Sequence, residues 1–104
     1  MTVDKDKLRK LQWSIMEHVS ACSILPLMRI GDELNLFLTL AENGPCSIGV
    51  FSQAAGIDER YAREWLYAMC AANYCCHDEE FEKFHLSEEQ KVVFAYEDSP
   101  ALMI

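Results

Sequence analysis

Along the first thirty residues the apolar positions recur every three or four places: Leu8, Leu11, Ile15, Val19 and Cys22, with Met16, Leu25 and Met28 widening the stripe. That is the period of a helix that buries one face. The pattern predicts a long helix from Asp4 to about Ile30. Pro26 is expected to kink it or to end its first part, because proline lacks a backbone donor and crowds the preceding turn. The run "ACSILPLMRI" is apolar nearly all round. Such a helix needs cover on several sides, from its own domain or from a second subunit. The second reading makes Leu11, Ile15, Val19, Cys22, Leu25 and Met28 interface positions.

Gly31 is expected to break this pattern. "DELNLFLTLAENGP" then predicts a short helix with Leu34, Phe37, Leu38 and Leu40 inward, stopped at Asn43-Gly44-Pro45. Ser47 is placed to cap "IGVFSQAA", where Val50, Phe51 and Ala54 form a narrow apolar face. Gly56 ends that helix and Asp58 caps the next, "DERYAREWLYAMCAANY", with Tyr61, Trp65, Leu66, Met69 and Cys70 as its buried stripe and Asn73 as its terminator. Two short helices joined by a tight glycine turn are the helix-turn-helix arrangement. "YCCH" and "KFHL", separated by the polar "DEEFE", predict a hairpin, the wing. Ser87 with Gln90 makes a capping box for a helix over Glu88 to Tyr96. Ser99-Pro100 reads as one more helix start, and with only "ALMI" after it the chain is read as a fragment. The fold class expected is mainly α with a small β-hairpin, a winged helix-turn-helix with an additional long N-terminal helix. Residues 1–30 form that helix, 31–96 the winged-helix domain, and 97–104 the start of a linker helix to a missing catalytic domain.

A helix-turn-helix raises the question of DNA, and charge answers it. The 104 residues carry a formal charge of −8, and from Asp78 onward eight acids face only Lys83 and Lys91. On the exposed side of the candidate recognition helix, Glu59 with Arg63 and Arg60 with Glu64 are i,i+4 pairs, so both arginines have acidic neighbours. Duplex affinity comes largely from lysine and arginine neutralising phosphates. The shape is present and the charge is wrong, so no nucleic-acid partner is expected. No apolar run approaches the length of a membrane span, and the charged start "MTVDKDKLRK" is unlike a secretory signal. Five cysteines at irregular spacing fit a reduced, cytoplasmic protein better than a disulfide framework.

Candidate chemistry is thin. Cys70, Cys75, Cys76, His77 and His85 crowd the hairpin, where adjacent Cys75 and Cys76 point to opposite faces but Cys75, His77 and His85 can share one. Zinc sites, however, usually separate paired cysteines by two to four residues, so core-filling thiols and exposed histidines are preferred, and no metal ligand is assigned. His18 has no serine or cysteine at a spacing that implies an activated nucleophile, and no catalytic residue is assigned. The four glycines make no Gly-x-Gly loop for a nucleotide or nucleoside cofactor.

Three stretches, "GDELNLFLTLAENGP", "DERYAREWLYAMCAANY" and "EDSPALM", occur in an order and spacing that resemble the N-terminal winged-helix domain of two-domain, class I S-adenosylmethionine-dependent methyltransferases of the bacterial small-molecule branch. Arg60-Tyr61-x-Arg63-Glu64-Trp65-Leu66 is the most specific part; Asn35 and Asn73 stand where glycine is usual. The resemblance implies a module that dimerises and closes over the substrate pocket of a following Rossmann-like domain. Its implied partners are a second copy, the protein's own C-terminal catalytic domain and a small-molecule substrate. S-adenosylmethionine would be held by that domain, with no cofactor in this chain, and the fragment alone would be inactive. The alternative kept open is a dimeric winged-helix transcription regulator that senses metal or oxidant through Cys70, Cys75 and Cys76.

Overall fold

The structure, a computed structural model, describes residues 2–96. In chain order it contains α1 (Lys5–Glu33), α2 (Leu36–Asn43), α3 (Ile48–Ala55), α4 (Glu59–Ala71), β1 (Cys76–Asp78), β2 (Lys83–His85) and α5 (Glu88–Phe94). This is a winged helix-turn-helix preceded by a long helix. The expected helix start at Ser99-Pro100 lies outside the described residues.

Asp4 caps α1, its carboxylate accepting from the Asp6 and Lys7 amides. The helix then runs through both of its expected stops. Pro26 stays inside it, at the cost of one hydrogen-bond donor in the ladder. Gly31 is helical and buried. A Cβ there would lie 2.6 Å from Cζ2 of Trp65 and 2.8 Å from Cε2 of Phe37, so this glycine serves close approach of two elements. The turn comes later, at Asn35, whose φ of 56° is left-handed; asparagine adopts that conformation more readily than most residues.

That later turn changes which leucines face inward. Leu36, Phe37 and Leu40 are buried, whereas Leu34 and Leu38, expected inward, are exposed. Gly44 ends α2 with an extended φ of −77°. Its reason for being glycine is again space, since a Cβ would meet the Leu40 carbonyl oxygen at 2.8 Å and the β2 backbone at 3.1 Å. Ser47 caps α3 as expected, accepting from the Val50 amide. Phe51 is buried there, while Val50 and Ala54 face outward.

Gly56, at φ 70°, closes α3, and Asp58 opens α4 by accepting from the Arg60 amide at 2.8 Å. The buried face of α4 is Ala62, Trp65, Leu66 and Met69. Tyr61, expected inward, is 68% exposed, and Cys70 is half-buried. Trp65 joins three helices. It meets Phe37 edge-on at 4.9 Å and stacks on Phe51 at 5.9 Å, and its indole N–H donates to the Leu27 carbonyl at 3.0 Å.

The wing pairs Cys76 with His85, His77 with Phe84 and Asp78 with Lys83, antiparallel. Phe84 also exchanges two backbone hydrogen bonds with Cys46, at 2.8 and 3.0 Å, which ties the wing to the loop between α2 and α3. The Ser87–Gln90 capping box forms as expected, and α5 lays Phe94 on Phe37 at 4.7 Å.

Candidate functional site

Three surfaces carry the residues that the sequence singles out. The first is the exposed side of α4 with the wing beside it. The Arg60 Nε lies 3.9 Å from the Glu64 carboxylate and an Arg63 terminal nitrogen 4.0 Å from Glu59, all four side chains exposed. At the wing tip Asp78 accepts from the Glu80 and Phe81 amides, and Glu79 and Glu80 are exposed around it. A duplex laid against this shape would meet carboxylates at the tip and paired arginines along the helix, the wrong charge for phosphates.

The second surface is the turn from α4 into β1. The Asn73 amide donates to the Cys70 carbonyl at 3.0 Å and the Tyr74 amide to the Met69 carbonyl at 2.8 Å, with Asn73 left-handed at φ 66°. This is the Schellman pattern of helix termination. It folds the chain back on the last turn of α4, so that Cys70 and Cys75 line the same groove. Cys75 is buried and its thiol also donates to the His85 carbonyl at 3.5 Å. Cys76 points elsewhere and donates to Oε1 of Gln90 at 3.4 Å. The same Gln90 oxygen accepts from the Ser87 amide, and its Nε2 donates to the Asn73 carbonyl at 3.0 Å. One glutamine thus fastens α5 to the turn, a role the capping-box spacing alone does not reveal.

Cys75, His77 and His85 do not share a face. Register pairs His77 with Phe84, on which it stacks at 4.3 Å, and pairs His85 with Cys76. Directly paired residues share a side of a sheet and successive residues alternate, so the two histidines face opposite ways. Among the described residues no group of three histidine, cysteine, aspartate or glutamate side chains is placed to hold a metal ion.

The third surface is α1. Its C-terminal part packs on the core through Ile24, Leu27 and Met28. At about 100° per residue, Leu8, Leu11, Ile15, Val19 and Cys22 fall on the opposite side of the same helix. Leu8, Leu11, Ile15 and Val19 are each 45–60% exposed, and Leu25, between the two faces, is 59% exposed. Met28 alone among the six expected interface positions is partly buried on the chain's own core. Among the described residues no helix is long and apolar enough to cross a membrane.

Known proteins share this geometry. The model of the Rv2258c-like winged HTH domain matches residues 21–95. The solved structure of an alanine-substituted LepI in complex with SAH and a substrate analogue superposes with a TM-score of 0.68 at 21% identity, over 88% of this chain and 27% of that one. PigF with SAH gives 0.61 at 15% identity, over 96% of this chain and 30% of that one. The chain therefore spans under a third of the length of either, and the likeness is one of fold. A search of curated proteins found no match.

Proposed function

The chain belongs to the Rv2258c-like winged HTH domain family, the N-terminal domain of S-adenosylmethionine methyltransferases, and from that premise we propose that it is the dimerisation and substrate-lid module of such an enzyme. The observation that carries the reading is the second apolar face of α1. Five apolar side chains, Leu8 to Cys22, occupy the side of the helix turned away from its own core. Exposed stripes of that size mark association surfaces, and a second copy presenting the same stripe would cover it in a two-fold dimer.

The family implies S-adenosylmethionine, and the described residues do not fit it. Gly31 and Gly49 lie within helices, Gly56 caps α3 and Gly44 abuts β2. None frames the close backbone approach that a nucleoside cofactor needs. We assign the cofactor and the methyl transfer to a catalytic domain beyond this chain, whose substrate pocket the wing and α4 would help to close.

Sedimentation of the chain and calorimetry with S-adenosylmethionine test the reading together. The expected result is self-association and no cofactor binding. A monomer at all concentrations removes the dimerisation role, and tight cofactor binding by residues 1–104 overturns the assignment. Titration with random duplex DNA checks the regulator alternative: an affinity that falls steeply with salt would favour it.

A further inference from the structure

The cysteines of the α4–β1 turn have no part in that role, yet their arrangement is specific. The Schellman turn at Asn73 folds Cys75 back beside the last turn of α4, which carries Cys70. Both line an open groove bounded by Tyr67, Asn73, Glu82 and Gln90, from which a small solute can reach Cys70, the more exposed of the two. Cys70 is half-buried at the groove and Cys75 lies deeper. We propose that Cys70 and Cys75 are a redox pair which a small disulfide of the glutathione class closes into an intramolecular disulfide, Cys70 attacking and Cys75 resolving.

The roles follow from the environments. The neighbouring Cys75 thiol favours a thiolate on Cys70 and pulls its pKa below the usual thiol range. The same pairing with Cys70, together with burial, holds Cys75 protonated. Reactive sensor cysteines are of the first kind, accessible, thiolate-prone and next to a resolving thiol. In the first step the Cys70 thiolate attacks one sulfur of the small disulfide, breaking its S–S bond and releasing one small thiolate. Cys75 then yields its proton to that thiolate or to water and attacks the Cys70 sulfur, releasing the second small thiolate. Two cysteine thiols are oxidised and one small disulfide is reduced to two thiols. The bridge would clamp the last turn of α4 to the start of β1 and remove the Cys75 donor from the His85 carbonyl, so the wing feels the redox state. Cys76, engaged by Gln90, takes no part.

The test is peptide mapping by mass spectrometry under non-reducing conditions, after titrating the reduced chain with oxidised glutathione in a Cys22→Ser background. The expected product is a Cys70–Cys75 cross-link. Cys75→Ser should stall as a stable glutathione adduct on Cys70. Cys70→Ser should slow reaction at Cys75 by about tenfold or more, because the accessible thiolate is gone. Iodoacetamide competition on the unsubstituted chain, which needs no variant to fold, should label Cys70 before Cys75. A cross-link that uses Cys76, Cys75 labelled first, or Cys75 reacting equally fast without Cys70 would overturn the proposal.

Discussion

The indole N–H of Trp65 donates to the main-chain oxygen of Leu27 at 3.0 Å, joining residues 38 positions apart. Through this bond α1 becomes part of the winged helix rather than an appendage to it. One turn further along α1, Gly31 leaves the space that the same indole fills. Helix α4 can lie this close to α1 only because position 31 has no side chain.

Gly31→Ala should therefore destabilise the chain by about 1–3 kcal/mol, the usual cost of forcing extra volume into a packed contact. Gly49, inside α3, has nothing within 4 Å of an added Cβ. Gly49→Ala should stabilise by roughly 0.5–1 kcal/mol, because alanine costs less backbone entropy in a helix. Urea denaturation of the two variants gives opposite shifts of the midpoint; equal shifts would contradict the packing described.

The exposed stripe of α1 makes a separate prediction. Ile15→Glu or Val19→Glu should weaken self-association by about tenfold or more, as a charge buried at the centre of an interface does. Thermal stability measured at concentrations where the chain is monomeric should hardly change, since neither side chain touches the core. A variant that unfolds instead would place the stripe inside the domain.

Stability should fall in alkali. Burial raises the Cys46 pKa, and the neighbouring Cys70 thiol, followed by burial, raises that of Cys75. Above about pH 8.5, where free thiols ionise, the unfolded chain binds fewer of these protons than the folded one. The stabilisation present below that pH is then lost as pH rises. Cys70, whose pKa is lowered, acts in the opposite sense just below the same range. Urea midpoints measured across this range should drop with pH, and the drop should be shallower in Cys46→Ala.

Gln90→Ala should lose about 1–2 kcal/mol, more than Ser87→Ala, which removes a single cap interaction of about 1 kcal/mol. The glutamine accepts from Ser87 and Cys76 and donates to Asn73, so its loss frees the turn as well as the helix start. By contrast, Glu59→Gln and Glu64→Gln should change stability by less than about 0.5 kcal/mol, because their arginine partners are exposed. Thermal denaturation of the four variants gives this order directly.

What can be read from the sequence, and what cannot, divides by range. The Ser47, Asp58 and Ser87 caps and the left-handed Gly56 and Asn73 are decided by neighbours within a turn of helix, and each stands where expected. Gly31 resembles a stop in the sequence because its meaning depends on Trp65, far along the chain. Tyr61 and Ala62 differ by one step around α4, and periodicity alone favours the larger side chain, whereas Ala62 is the one that is buried and Tyr61 is exposed. The expectation for Leu34 follows from the misplaced turn. The Cys70–Cys75 contact has a local signal, two cysteines straddling a left-handed asparagine, but the adjacent Cys75 and Cys76 point to the wrong pair.

Pro26 lies two residues after Ile24, near the start of the stretch of α1 that packs on the core. With one rung missing from its hydrogen-bond ladder, the helix bends most easily there. Leu8 lies eighteen residues away, roughly 27 Å of rise, so a tilt of about 10° at the proline swings it through about 5 Å. The outward arm can thus adjust its bearing on whatever it meets while the indole-filled joint behind it stays still.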